Sequence, residues 1–182
     1  MQTIKQDWHG KPCPSASFRI WQENQFWIFS VQVNVPADIT LPAQPGEYFE
    51  GLWEQDVAEW FIANPQTGHY IELNLAANGA WWLMAFSQPR VRNETLLQTT
   101  SLAGVNTQHQ MTATAWQAEL RLPQNCLQNL LGEGQWTHNV CFILGQQPRQ
   151  YLSMNQLASL KPDFHLPDEF TALPASMDQL ST

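Results

Sequence analysis

Residues 51–90 read GLWEQDVAEWFIANPQTGHYIELNLAANGAWWLMAFSQPR, and aromatics, acids and strand-like alternation coincide there. Tyr70, Glu72 and Asn74 alternate with Ile71, Leu73 and Leu75, which sends one set to a core and the other to an exposed sheet face. Asn78-Gly79 tolerates positive φ at both positions, so a tight turn into a second strand over 80–86 is expected. Residues 52–62 are ambiguous: Leu52, Val57, Trp60 and Phe61 fit one helical face, while 57–62 is dense in strand formers. Turn residues Asn64-Pro65 and Thr67-Gly68 lead directly into the Tyr70 strand, which makes a hairpin the more economical reading.

Outward from this stretch the same alternation recurs. Residues 17–21 and 26–35 read as strands around a Glu23-Asn24-Gln25 turn, with Trp27, Phe29, Val31, Val33 and Val35 on one side. Pro36 ends the second strand because it cannot donate to a ladder. Residues 111–122 alternate without a break and predict one long strand, with Trp116, Ala118, Leu120 and Leu122 on one face. Residues 125–131 before Gly132 predict a short helical turn, and 139–144 another strand. Ser153-Met154-Asn155-Gln156 fits a capping box that opens a short helix ended by Lys161-Pro162. From about Asp163 onward the chain predicts a coil-like segment across the surface. The sum is an all-β chain: one antiparallel β-sandwich domain over 1–182, jelly-roll-like, with one or two short helices and a closed barrel as the runner-up.

Composition narrows the function. The chain has 182 residues, 43% of them hydrophobic, only 13% charged, and nine are Trp, a profile of a folded β-rich protein. Net charge is −8, and no Lys or Arg falls between Arg19 and Arg90, so nucleic acid would be repelled. Cys13, Cys126 and Cys141 form no CxxC pair and are odd in number, which argues against a disulfide framework. No window approaches the ~18 apolar residues of a membrane span, and the N-terminus lacks a secretory apolar run. A cytoplasmic location is the default expectation, although a chain trimmed of a signal would read the same.

Chemistry-bearing residues are few. Glu47, Glu50, Glu54, Asp56, Glu59 and Glu72 form an acidic group that could supply an acid and a base, yet such clusters are more often solvated or hydrogen-bonded carboxylates. The histidines His9, His69, His109, His138 and His165 lack metal spacing, and His138 with Cys141 reads as structural. No GxSxG, Walker-type or GxGxxG motif occurs, so no enzyme is expected. Trp53, Trp60, Trp81 and Trp82 are bunched, and an exposed indole offers a flat apolar face to a pyranose while neighbouring Glu, Asn and Arg bond its hydroxyls. Adjacent Trp81 and Trp82 on one strand point to opposite faces, so one of them requires cover, a partner or a ligand.

The order YFEGLWEQDVAEWF, YIELNLAANGAWW, then WQAELRLP resembles family 9 carbohydrate-binding modules and the wider DOMON-like sandwich group, over about 48–170. Trp53, Asp56, Glu59 and Phe61 match the first block, and Trp116, Ala118, Glu119 and Pro123 the second. The resemblance implies a sandwich that binds a saccharide without cleaving it, often with structural calcium. It places Trp53 as the stacking residue and Glu59 and Arg90 at the hydroxyls; Glu72 completes the expected ligand-binding set of Trp53, Glu59, Glu72 and Arg90. A second stacking Trp near the C-terminus is missing, and Asp163-Phe164-His165 stands in that region. No cofactor is otherwise expected. The alternatives are a cytosolic protein-interaction domain that kept the sandwich and lost the sugar site, and a haem pocket using Met84 and a histidine.

Overall fold

The computed structural model describes residues 1–40, 42–145 and 147–174. In chain order its elements are β1 (Gln2–Gln6), β2 (Pro12–Glu23), β3 (Phe26–Val33), β4 (Val57–Ala63), β5 (Tyr70–Ala76), β6 (Trp81–Gln88) and β7 (Val91–Arg92). Then follow α1 (Glu94–Gln98), β8 (Asn106–Met111), β9 (Trp116–Pro123), α2 (Gln124–Leu131), β10 (Thr137–Leu144), β11 (Gln150–Ser153) and β12 (Thr171–Ala172). A five-stranded sheet runs β1-β2-β3-β9-β8. The seven-stranded sheet runs β11-β10-β4-β5-β6-β7, with β12 also on β10. Two sheets facing each other with only short helices make the all-β sandwich that the alternation predicts.

Alternate residues fill the space between the sheets. Phe18, Trp27, Phe29, Val31, Trp116 and Leu120 from the first sheet meet Trp60, Ile62, Ile71, Leu73, Leu83 and Phe142 from the second. The β2–β3 turn places Asn24 and Gln25 at φ 48° and 66°, the left-handed pair that matches the twist of a two-residue hairpin. In the β5–β6 hairpin only Gly79 takes positive φ, at 80°, so Asn78 does not use the conformation its type allows. Gly79 is needed twice over. Its carbonyl accepts from Thr107 Oγ1 at 2.7 Å, and an added Cβ would sit 3.1 Å from both Thr107 Oγ1 and His109 Nδ1, so the hairpin tip presses against β8 of the opposite sheet.

Three expectations are corrected. Residues 111–122 are two strands rather than one, because the Thr112 hydroxyl accepts from the backbone N–H of Thr114 and Ala115 and donates to the Ala115 carbonyl, closing a turn inside an unbroken alternation. Residues 153–161 form no helix. Ser153 is the last residue of β11, paired with Cys141, and the Asn155 N–H is taken by Asn139 Oδ1 at 3.1 Å, which holds the chain extended. Nor is the segment from Asp163 a surface coil throughout its described part, since Phe164 and Phe170 are buried and β12 pairs with β10. Residues 175–182 lie outside the described residues.

A fourth correction matters most for function. The face bearing Tyr70, Glu72 and Asn74 is not exposed: every residue of β4 and β5 is buried. The outer face of the seven-stranded sheet carries its own apolar cluster, in which Leu52, Phe61, Tyr70, Trp82, Phe86, Leu157, Phe164 and Phe170 pack together. A loop before β4 and a strap after β11 supply that cover.

Trp116 is 1% exposed at the centre of the inter-sheet core. Trp116→Ala is therefore expected to cost about 3–5 kcal/mol in urea unfolding, and a loss under about 1 kcal/mol would contradict the packing.

Candidate functional site

The cover over the seven-stranded sheet is incomplete, and where it parts lies a cleft of about 340 Å³. Its floor is built by register. Glu59 on β4 stands opposite Asn74 on β5, which stands opposite Trp82 on β6, while Glu72 sits opposite Phe61 and Met84. Glu59 and Glu72 are thus diagonal neighbours on one face, their Cα atoms about 7–8 Å apart by strand geometry. Tyr151 on β11 rises on one side of this acidic floor and Trp82 on the other, each two strands from β4.

Trp53 comes from the short 3₁₀ turn Leu52–Glu54 that precedes β4. Its ring meets Trp82 edge-on, with centroids 5.1 Å apart, and remains partly exposed to the cleft. Arg149, from the β10–β11 connection, donates to the Trp53 carbonyl and so ties down the turn that carries the indole. On the far side of Trp82, Arg92 lies 5.3 Å from the ring and pairs with Glu50 at 2.6 Å.

The strap after β11 provides the remaining wall. Asp163 accepts from the Arg90 guanidinium at 2.8 Å and from the backbone N–H of His165 at 3.1 Å. Arg90 itself occupies a left-handed position, φ 63°, and its backbone N–H donates to the Tyr70 hydroxyl at 2.9 Å. That hydroxyl also hydrogen-bonds His165 Nδ1 at 2.8 Å. The other ring nitrogen, Nε2, faces Glu72 Oε2 at 3.5 Å.

Burial sets the electrostatics. It pushes the Tyr70 phenol up to about 12, which keeps it a donor, and lowers His165 to about 4, helped by the charge of Arg90. His165 is thus neutral near pH 7, and its 3.5 Å approach to Glu72 is not an ion pair there. Glu72 is raised to about 7 by burial, with the Asn74 amide bond at 3.0 Å and the Arg92 and Arg90 charges pulling the other way. Glu59 is raised well above the ordinary carboxylate range, first by burial and then by Glu72. Only 3% of Glu59 is exposed, yet among the described residues no donor reaches its carboxylate.

The four residues expected to bind a ligand, Trp53, Glu59, Glu72 and Arg90, all line this one cleft. Arg90 does so from the rim, 62% exposed and engaged by Asp163. The other acids go elsewhere: Glu47 accepts from Gln44 N, and Asp56 braces the backbone N–H groups of Asp38 and Gly145. The expected ligand-binding set left out Trp82, Tyr151, Arg92 and His165, which also line the cleft. Trp82 was announced by its neighbour Trp81, which enters the inter-sheet core and leaves Trp82 to the outer face. Tyr151 had no such signal, because β11 is only four residues long.

Side by side on one floor, Glu59 and Glu72 are not placed as an acid and a base on opposite sides of a scissile bond. Met84 is buried in the floor and does not line the cleft. Among the described residues no three His, Cys, Asp or Glu side chains gather as a metal-ligand set. No helix among them is long and apolar enough to cross a membrane.

The sequence profile of carbohydrate-binding family 9 matches residues 1–174. Among solved structures, a protein of Bacteroides uniformis ATCC 8492 proposed to bind carbohydrate aligns with a TM-score of 0.71 at 16% identity, covering 94% of this chain and 84% of that one. A family 9 module from Caldicellulosiruptor kristjanssonii in complex with glucose aligns at 0.53 and 10% identity, over 86% of this chain and 76% of the other. The corresponding complex with cellotriose aligns at 0.50 and 10%, over 81% and 69%. At such identities these likenesses show the fold. No curated protein matches the sequence.

The buried ionisable groups predict a two-sided pH dependence of stability. Glu72 and Glu59 have raised pKa values in the folded chain, so their cost is absent below the unfolded value of 4.5 and grows as pH rises through about 7. His138 and His165, lowered from 6.5 to about 4, act oppositely: the stability they contribute is full above 6.5 and is lost as pH falls toward 4. Above about pH 6.5, where the histidine contribution is already full, the melting temperature should fall with rising pH in the wild type and fall less steeply in Glu72→Gln, in which Glu59 alone still carries the cost. An alkaline slope identical in both proteins would contradict this assignment.

Proposed function

As a member of carbohydrate-binding family 9 the chain is a non-catalytic carbohydrate-binding module, and we propose that it holds its saccharide in the cleft over Glu59 and Glu72. The observation that carries this reading is Glu59 itself, a carboxyl group 3% exposed, lining the cleft and without a donor among the described residues. A buried acceptor left unpaired is costly, and a sugar hydroxyl supplies the missing hydrogen bond. Trp53 offers an apolar face for the C–H side of a pyranose, and Tyr151 stands across the floor as a further aromatic wall. Arg90 and Glu72 contact hydroxyls nearer the strap. Support for a gluco-configured ligand comes from the fold relatives in complex with glucose and cellotriose. The acidic balance of the chain opposes nucleic acid as a partner.

Stacking contributes area with little directional information, whereas an unpaired buried carboxyl penalises a ligand that presents the wrong group. Calorimetry with glucose, cellotriose and a panel of neutral sugars is expected to give affinities on the order of micromolar to millimolar and no hydrolysis. Trp53→Ala should weaken every ligand by about tenfold or more, while Glu59→Gln should change the ranking among sugars. A wild type that binds none of them, or binding unchanged in both variants, would overturn the site.

A further inference from the structure

A second groove, of about 390 Å³, opens at the end of the sandwich where α2 passes into β10. Trp136 forms its apolar wall and packs, partly buried, against the inter-sheet core, whereas the cleft over Glu59 belongs to the outer face of the seven-stranded sheet. The two sites therefore rest on different apolar clusters and share no lining residue. Trp136 is held rigidly. Its Nε1 donates to the Gly132 carbonyl at 3.1 Å, and its ring lies 6.2 Å from Trp27, which in turn lies 6.0 Å from the fully buried Trp60. A line of indoles thus runs from the core to the surface and leaves its last member with a fixed, partly open edge and face.

Around that ring stand four amides, Gln22, Gln124, Gln128 and Gln135, and one carboxylate, Glu133. None of these side chains makes a hydrogen bond to another described residue. The groove has no Lys or Arg in its lining, so phosphate or carboxylate ligands lack a counter-charge there. An amide both donates and accepts, which is the complement of a hydroxyl rather than of an anion or a hydrocarbon. An immobilised indole wall with several uncommitted amides matches the amphipathic surface of a pyranose: C–H groups on one side, hydroxyls at the edge.

We propose that this groove is a second saccharide site, which takes a neutral pyranose unit independently of the cleft. Carbohydrate-binding family membership predicts one binding function for the chain; a second platform makes it bivalent toward an oligosaccharide or a polysaccharide surface, where two modest sites act at high effective concentration.

The test is titration of the ¹⁵N-labelled full chain with glucose and with cellotriose to concentrations on the order of 10 mM, following the indole N–H resonances. Trp136 is expected to shift in the wild type and equally in Trp53→Ala, in which the cleft is impaired. The double variant Gln128→Ala, Gln135→Ala changes only groove-facing surface residues; it should weaken the Trp136 response about tenfold while the Trp53 and Trp82 resonances respond as in the wild type. A Trp136 shift that vanishes in Trp53→Ala would mean transmission from the cleft and would overturn the proposal. So would a Trp136 resonance that moves with neither sugar, whatever the cleft does. Failure of the cleft alone would be read separately, as Trp53 and Trp82 resonances that stay still while Trp136 moves.

Discussion

Burial of the seven-stranded sheet on both faces is the constraint from which the rest of the structure follows. One face meets the opposite sheet, and the other is covered by the loop before β4 and the strap after β11. A sheet enclosed on two sides has no solvent for polar side chains, so each polar residue in β4, β5 and β10 requires a partner or exacts a desolvation cost. Several have one. Asn139 bonds Ser153 and the Asn155 backbone, Asn74 donates to Glu72, and just past β4 Asn64 reaches the carbonyls of Leu131 and Glu133. Others bear the cost: among the described residues Trp60 Nε1, Asn74 Oδ1, Thr137 Oγ1 and His138 Nδ1 have no partner. Glu59 differs from these in lining the cleft where the cover parts.

The cost of that arrangement is borne by the surrounding packing. Two neighbouring carboxyl groups raise each other's proton affinity, and the nearest guanidinium groups are already committed to Asp163, Glu50 and the Trp53 carbonyl. Those cations soften the field at the cleft without neutralising it. Burial keeps an uncharged imidazole beside Glu72, and the Tyr70 hydroxyl anchors that ring while accepting from the Arg90 backbone. The site is consequently organised by hydrogen-bond direction more than by net charge, which suits recognition of neutral polyols.

Period-two alternation made the sandwich legible, and it was right about the inward residues of β3, β5 and β9. It failed where local chemistry acts without changing the pattern. Thr112 turns the chain through its hydroxyl, and nothing in a Thr-Ala-Thr-Ala run marks the reversal. The outward face of β5 was misjudged for a related reason: alternation shows that Glu72 and Asn74 differ in side from Leu73, but cannot show that a strap eighty or more residues later lies over them. The candidate site was legible in Trp53, Glu59, Glu72 and Arg90 because their matching blocks are contiguous in sequence. Tyr151 and His165 belong to it through tertiary register alone.

The strap is tied down by contacts of long sequence separation. Tyr70 meets His165 across 95 residues, and Trp8 Nε1 donates to the Ser159 carbonyl across 151. The sheets are themselves joined by pairings as remote, such as Trp27 with Leu122, so the strap is one of several long-range closures. A sandwich with its inter-sheet core in place and its strap loose would carry the aromatic floor open to water. Such a species would display the sticky face of Phe61, Tyr70 and Trp82 before it acquired anything to recognise with it, so the strap shields the chain from self-association as much as it shapes a wall.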